Sequence, residues 1–281
     1  MELSLPRQEY FDRANPALIQ LNRYLVGVFR RDTTGKVVTV GSGFLVELAG
    51  EHYVATAGHN LEEDPFGVTI WWFQSGSSGE SLEGPELLAA CEPERRIAYR
   101  VEENGVDLGL ILLRNPKRLL QAGKSFYQVD ALREKQQEVP QNSLFFLLGF
   151  PARYAETVLI DRTPGGVYLP RPAEMQQLQS IAIPCFYGMT QAEEEWFEIR
   201  ADCKDPAPEN DHTLHYGGYS GGPVFRLISA RGLEGDPAGF ELFGLEFSQR
   251  AFTQHALLKC HYIHQWCSFA ESQRTNVSKG A

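Results

Sequence analysis

The sequence predicts an all-β protein built in two halves. Short apolar or alternating runs recur along the chain, among them "RYLVGVFRRD" (23–32), "VVTVGSGFLVEL" (37–48), "HYVATA" (52–57), "DLGLILL" (107–113), "LFFLLGF" (144–150), "SIAIPCFYG" (180–188), "GPVFRLI" (222–228) and "FELFGLEFS" (240–248). They have strand length and are rich in Val, Ile, Leu and Phe. Gly, Pro, Asn and Asp separate them, and alternating helices are missing, so barrels or sandwiches are expected rather than βαβ units. The polar stretch "REKQQEVPQN" (133–142) divides the runs into halves of similar size.

Helix signals sit at the ends. "NPALIQLNRYL" predicts a short opening helix with Asn15 as cap and Pro16 at the first helical position. In "TQHALLKCHYIHQWCSFAESQ" (253–273), Leu257, Leu258, Tyr262, Ile263, Trp266 and Phe269 fall at helical spacing. This predicts a C-terminal amphipathic helix docked on the body. Cys260, His264 and Cys267 would share one face of it, beside His261. Zinc takes such ligands, but structural zinc pairs usually come from two separate segments, so a packed face is expected there and no metal. Three stretches read as surface loops: 74–86, 162–174 and the strongly acidic 190–213.

The chain has 281 residues, 43% hydrophobic and 22% charged, the balance of a soluble globular protein. Its net charge of −10 and the lack of a Lys/Arg cluster argue against a nucleic-acid partner. The longest apolar run, 144–150, is far too short to span a bilayer, and no signal-peptide pattern opens the sequence. No membrane association is expected, and a cytoplasmic location is. Cys91, Cys185, Cys203, Cys260 and Cys267, an odd and scattered set, fit free thiols in that compartment.

One stretch stands apart. "HYGGYSGGPVF" (215–225) places Ser220 among glycines, between strand-like runs. Glycine clusters mark backbone conformations other residues cannot reach. A nucleophilic serine needs such freedom when backbone N–H groups must point at its reaction centre. It also needs a base, and the base needs an orienting acid. "HYVATAGHNL" offers His59 in a small-residue turn after a strand, and "NGVDLGLILL" offers Asp107 at the mouth of an apolar strand, where an acid needs a partner.

"TAGH", "VDLGLILL" and "GYSGGP" resemble the histidine, aspartate and serine motifs of chymotrypsin-like (trypsin-fold) serine peptidases, in that family's order. "GSGFLVEL" (41–48), "FLLGFPA" (146–152) and "FGLEFS" (243–248) resemble neighbouring strands of the same family, so the resemblance covers about residues 20–272. It implies two six-stranded antiparallel β-barrels: residues 20–135 carrying His59 and Asp107, and residues 140–252 carrying Ser220, with the C-terminal helix over 253–273. It implies a cofactor-free serine endopeptidase acting on protein or peptide substrates. Ser220 would be the nucleophile, His59 the general base and Asp107 its orienter. The N–H groups of Gly218 and Ser220 would form the oxyanion hole, and Leu214, Glu246 and Phe247 would line the substrate pocket. Glu246 favours Lys or Arg beside the cut bond, whereas Leu214 favours an apolar residue; the balance leans to the basic side. Tyr219 stands where secreted members carry the aspartate that pairs with a newly cut N-terminus, so that activation route is not expected. A regulatory partner or a narrow substrate range would then restrain the enzyme, in a bacterial stress or defence pathway.

Two other readings follow from the same residues. Gly218, Ser220 and Gly222 match G-x-S-x-G, the nucleophile elbow of α/β-hydrolase esterases, with Asp236 and His255 as further members. That fold needs a helix after the serine, and "GPVFRLI" reads as a strand. The other reading keeps the peptidase fold as a catalytically silent binding or scaffold module.

Overall fold

A computed structural model describes residues 18, 20–31, 37–62, 68–71, 97–102, 105–132, 144–150, 160–162, 168–170, 181–185, 189–201, 218–233, 237–251 and 256–278. Leu214, Asp236, His255, Asn15 and Pro16 fall outside this set, as do the 133–142 divide, the predicted loop at 74–86 and residues 202–213. Within the other predicted loops, residues 168–170, 190–192 and 196–201 are strand instead, each paired with a neighbouring strand.

The first half contains β1 (Leu25–Arg31), β2 (Val37–Leu48), β3 (Glu51–Thr56), β4 (Val68–Trp71), β5 (Ile97–Val101), β6 (Asp107–Leu113) and β7 (Tyr127–Gln128). Six of these form an antiparallel path in the order β4-β1-β2-β3-β6-β5. The two-residue β7 adds to β2 in parallel, against the purely antiparallel expectation. The second half contains β8 (Phe145–Gly149), β9 (Ile160–Arg162), β10 (Tyr168–Pro170), β11 (Ile181–Cys185), β12 (Met189–Ala192), β13 (Trp196–Ala201), β14 (Pro223–Leu233), β15 (Pro237–Ala251) and β16 (Ala256–Tyr262). Its sheet runs β11-β8-β14-β15-β16-β13-β12, seven strands where six were expected, while β9 and β10 pair separately. The chain is therefore all-β in two antiparallel sheets, closed by a C-terminal helix, the chymotrypsin-like architecture. An α/β-hydrolase reading fails on this topology, because the segment after Ser220 is the strand β14.

The extra strand comes from a stretch read as helix. Residues 256–262 are β16, and the helix begins only at Ile263. The strand buries alternate residues, Ala256, Leu258 and Cys260, so period two won over the apparent helical spacing. Cys260 consequently lies in a strand and Cys267 in the helix, which removes the shared face. Both cysteines are buried, and among the described residues no His/Cys/Asp/Glu group has the arrangement of a metal site.

The apolar run at 144–150 is continuous because β8 is buried on both sides. Phe145 and Leu147 face the core of the second sheet, with Phe197, Ile199, Val224 and Phe243. Phe146 and Leu148 face a second core shared by both sheets, with Phe44, Val46, Leu108, Leu110, Phe225 and Leu245. Phe44 and Phe225 meet edge to face across the halves, ring centres 5.6 Å apart.

The terminal helix, α3 (Ile263–Ser278), is numbered after two short ones, α1 (His59–Glu62) and α2 (Lys117–Gln121). It inserts Ile263, Trp266 and Phe269 into the shared core. The fully buried Trp266 indole donates to the carbonyl of Gly109 at 2.9 Å and packs edge-on against Tyr53. Gly109 lies two residues along β6 from Asp107, so the helix anchors that strand. Among the described residues no helix is long and apolar enough to cross a membrane. Trp266→Ala is expected to cost about 3–5 kcal/mol in urea unfolding, from the lost volume and the orphaned Gly109 carbonyl; a change below about 1 kcal/mol would refute this anchoring.

Candidate active site

His59 opens α1, directly after the turn that leaves β3, and Asp107 opens β6, the strand paired with β3. The pairing brings the two side chains together. One carboxylate oxygen of Asp107 accepts the His59 backbone N–H at 2.9 Å, and the other meets His59 Nδ1 at 2.6 Å. Gly58 makes this approach feasible: a Cβ there would lie 2.9 Å from the Asp107 carboxylate and from the Leu108 carbonyl. Because an ionised carboxylate only accepts, the imidazole proton sits on Nδ1 and Nε2 keeps a lone pair. The Asp107 side chain is 11% exposed and the His59 side chain 40%, so the imidazole stays open to solvent while the carboxylate is covered.

A second histidine supports the acid from behind. The Asp107 backbone N–H donates to His261 Nε2 at 2.9 Å, and His261 Nδ1 donates to the Glu195 carbonyl at 3.1 Å. The ring stacks on Phe247, with centres 4.1 Å apart and planes 17° apart. Burial holds the His261 pKa below the ordinary imidazole value, so the ring stays neutral and able to accept.

Ser220 comes from the turn before β14. Gly218 and Gly221 in this turn have φ of +91° and +87°, a region where only glycine is unstrained. A Cβ on Gly221 would also lie 2.3 Å from Thr56 Oγ1 and 2.8 Å from the Ala57 nitrogen, so the turn rests directly on the histidine hairpin. That contact is fastened by hydrogen bonds. The Ser220 carbonyl accepts from the Ser42 backbone N–H at 2.8 Å and from the side-chain amide of Asn60 at 2.9 Å. Ser42 Oγ donates to the Gly218 carbonyl at 2.6 Å while accepting the Phe150 N–H at 2.9 Å. Among the described residues no acceptor is bonded to the N–H of Gly218 or of Ser220.

Glu246, in β15, clamps the other side of the turn. Its carbonyl accepts the Gly221 N–H at 2.7 Å and its N–H donates to the Gly222 carbonyl at 2.9 Å. Its side chain is 1% exposed, with the Ser220 hydroxyl within hydrogen-bonding reach. Desolvation, reinforced by the charge of Asp107, pushes its carboxyl up to about 8. Phe247 is buried against His261, and Tyr219 packs into the core of the second sheet. The structure thus gathers His59, Asp107, Gly218, Ser220 and Glu246 at one seam between the sheets. Ser42, Asn60 and His261 are the members that the motifs did not announce.

No protein-family model and no curated protein matches this sequence. Solved structures resemble it at a distance. The inactive form of an M. tuberculosis H37Rv Rv3671c mutant overlays 99% of this chain and 98% of its own, at TM-score 0.46 and 12% identity. The active form of the M. tuberculosis Rv3671c protease overlays 88% and 80%, at TM-score 0.45 and 15% identity. A Sesbania mosaic virus structure described by the coupled folding and binding of its VPg protein overlays 86% of each chain, at TM-score 0.41 and 13% identity. Likenesses this distant assign no activity.

His261→Phe keeps an aromatic on Phe247 but leaves the Asp107 N–H without its acceptor. The expected loss is about 1–3 kcal/mol of stability, with a shift in the His59 imidazole ¹⁵N resonances. Unchanged resonances would show that Asp107 is held without His261.

Proposed function

We propose that this protein is a serine endopeptidase working through Ser220, His59 and Asp107. The supporting observation is the double hydrogen bond of His59 to Asp107, beside a serine turn tied to Asn60, the residue after His59. With Nδ1 committed to Asp107, Nε2 is the nitrogen free to take the Ser220 proton as the hydroxyl attacks a peptide carbonyl. The tetrahedral oxyanion would take the N–H groups of Gly218 and Ser220, each such donor being worth about 3 kcal/mol in the transition state. His59 would then protonate the leaving amine, and water would cleave the acyl-enzyme by the same route reversed. Protein or peptide substrates enter by strand addition in this reading, along the part of β15 beyond Leu245, which the ladder to β14 does not reach.

The basic preference suggested by Glu246 requires an ionised carboxylate, and burial opposes that. Cleavage profiling with a peptide library separates this preference from the apolar one that Leu214 suggests. A regulatory partner or narrow substrate range remains part of the proposal, and indiscriminate cleavage of casein by the isolated protein would contradict it.

Ser220→Ala and His59→Ala are each expected to lower kcat/KM by about four orders of magnitude or more, with the unfolding midpoint retained. A fluorophosphonate should label Ser220 in the unaltered protein only. Near-normal turnover in either variant would reject the mechanism. Lack of labelling in the unaltered protein would favour the silent scaffold instead.

A further inference from the structure

Glu246 is a carboxyl in a place where a carboxylate cannot be comfortable. It is 1% exposed, and its Oε2 has no hydrogen-bond partner among the described residues. Its neighbours do not neutralise it. Asp107 approaches from β6 with a like charge. Cys260 stands opposite it in register on β16, with His261, held neutral, one residue further on. The serine turn contributes the hydroxyl of Ser220 and the packed ring of Tyr219. Among the described side chains of the surrounding strands, Arg226 engages Glu241, Arg250 engages Glu198 and Lys259 lies over the Trp196 ring.

The position is also too well fixed to be incidental. The ladder between β15 and β16 shifts register between Glu246 and Ser248, a bulge of the kind that re-aims side chains beside active sites. The Glu246 backbone is bonded to the serine turn in both directions. Its carboxyl is thus buried beside the serine turn, where the Ser220 hydroxyl is its polar neighbour.

The two protonation states of such a carboxyl do opposite things to a serine. A neutral acid has an O–H to donate, and Ser220 Oγ can accept it while sending its own proton toward His59. A carboxylate has only lone pairs. It accepts the Ser220 proton and competes with the base.

We propose that Glu246 is a positioning residue for the nucleophile: neutral, it donates to Ser220 Oγ and leaves the serine proton to His59; ionised, it captures that proton's hydrogen bond and idles the serine. This rests on the reading of Ser220 as the nucleophile. Desolvation keeps the acid neutral up to about 8, so the serine is poised at neutral pH and loses its partner above that value.

The test has two readouts. The rate of Ser220 labelling by a fluorophosphonate, followed against pH, should fall about tenfold per pH unit above about 8 in the unaltered protein. Glu246→Gln, neutral at every pH and still a donor, should lose this alkaline limb. Glu246→Leu should also lose it and should label more slowly than the Gln variant. An alkaline limb that persists in Glu246→Gln overturns the inference while leaving the peptidase intact. Absence of labelling in every variant at every pH defeats the peptidase reading and the inference with it. The second readout needs no activity. Between the ordinary value of 4.5 and about 8 the folded chain holds a proton at Glu246 that the unfolded chain has released, so stability falls as pH rises through that window. Urea midpoints of the unaltered protein and Glu246→Gln should diverge across that window. Parallel midpoints would mean an ionised Glu246 in the fold, which also overturns the inference.

Discussion

The carbonyl oxygen of Ser220 accepts two hydrogen bonds from the opposite sheet, one from the Ser42 backbone and one from the Asn60 side chain, and the site depends on that staple. Serine and histidine belong to halves of the chain that have separate strand ladders. Apolar packing across the shared core holds the halves together but has no direction, so it cannot set the angle of a hydroxyl to an imidazole. Directional bonds at the seam can. Thr56 links them into one chain, accepting from the Asn60 amide and donating to the Ser42 carbonyl, both buried. A rotation of one sheet against the other would break several of these bonds together, each leaving a desolvated group unsatisfied.

Two carboxyls share this seam, and their surroundings differ. Asp107 has an imidazole and a backbone N–H for its two oxygens. Glu246 has a serine hydroxyl for one oxygen and nothing described for the other, and Asp107 repels its charge. Full ionisation of both would set two negative charges against each other at the seam. The cheaper arrangement is one carboxylate and one neutral acid, the pattern by which paired acids elsewhere acquire separate roles. A charged Asp107 therefore adds to the cost of ionising Glu246.

Much of this site could be read in the sequence because its residues sit at strand ends in short, recognisable runs. His59 and Asp107 meet through the β3–β6 pairing, and each lies beside a run of alternating or continuous apolar residues whose strand character is plain. His261 could not be read that way. Its segment places Leu257, Leu258, Tyr262 and Ile263 at intervals that suit a helix, and only burial against β13 and β15 settles it as strand. Misplacing that boundary hid both the seventh strand and the acceptor behind Asp107. Ser42 and Asn60 gave no signal because a buried serine and asparagine acquire their meaning from partners more than a hundred residues away. The burial of Glu246 could not be read either, since desolvation follows from three-dimensional packing.

The strands that complete the site show why the chain needs its last segment. β16 supplies His261 to the Asp107 backbone, and α3, which follows without a break, supplies Trp266 to the Gly109 carbonyl in the same strand. The opening of β6 is thus held at two points by residues five apart in the C-terminal segment, while its carboxylate is held by His59. Fixing the backbone on both sides of a charged side chain removes the freedom to swing that carboxylate away, a more durable restraint than a single side-chain contact. The aspartate therefore has its sequence in the first half and its posture from the second. Separating the halves would leave Asp107 without these supports and Ser220 without its staple, so the site is a property of the assembled seam and of neither sheet alone.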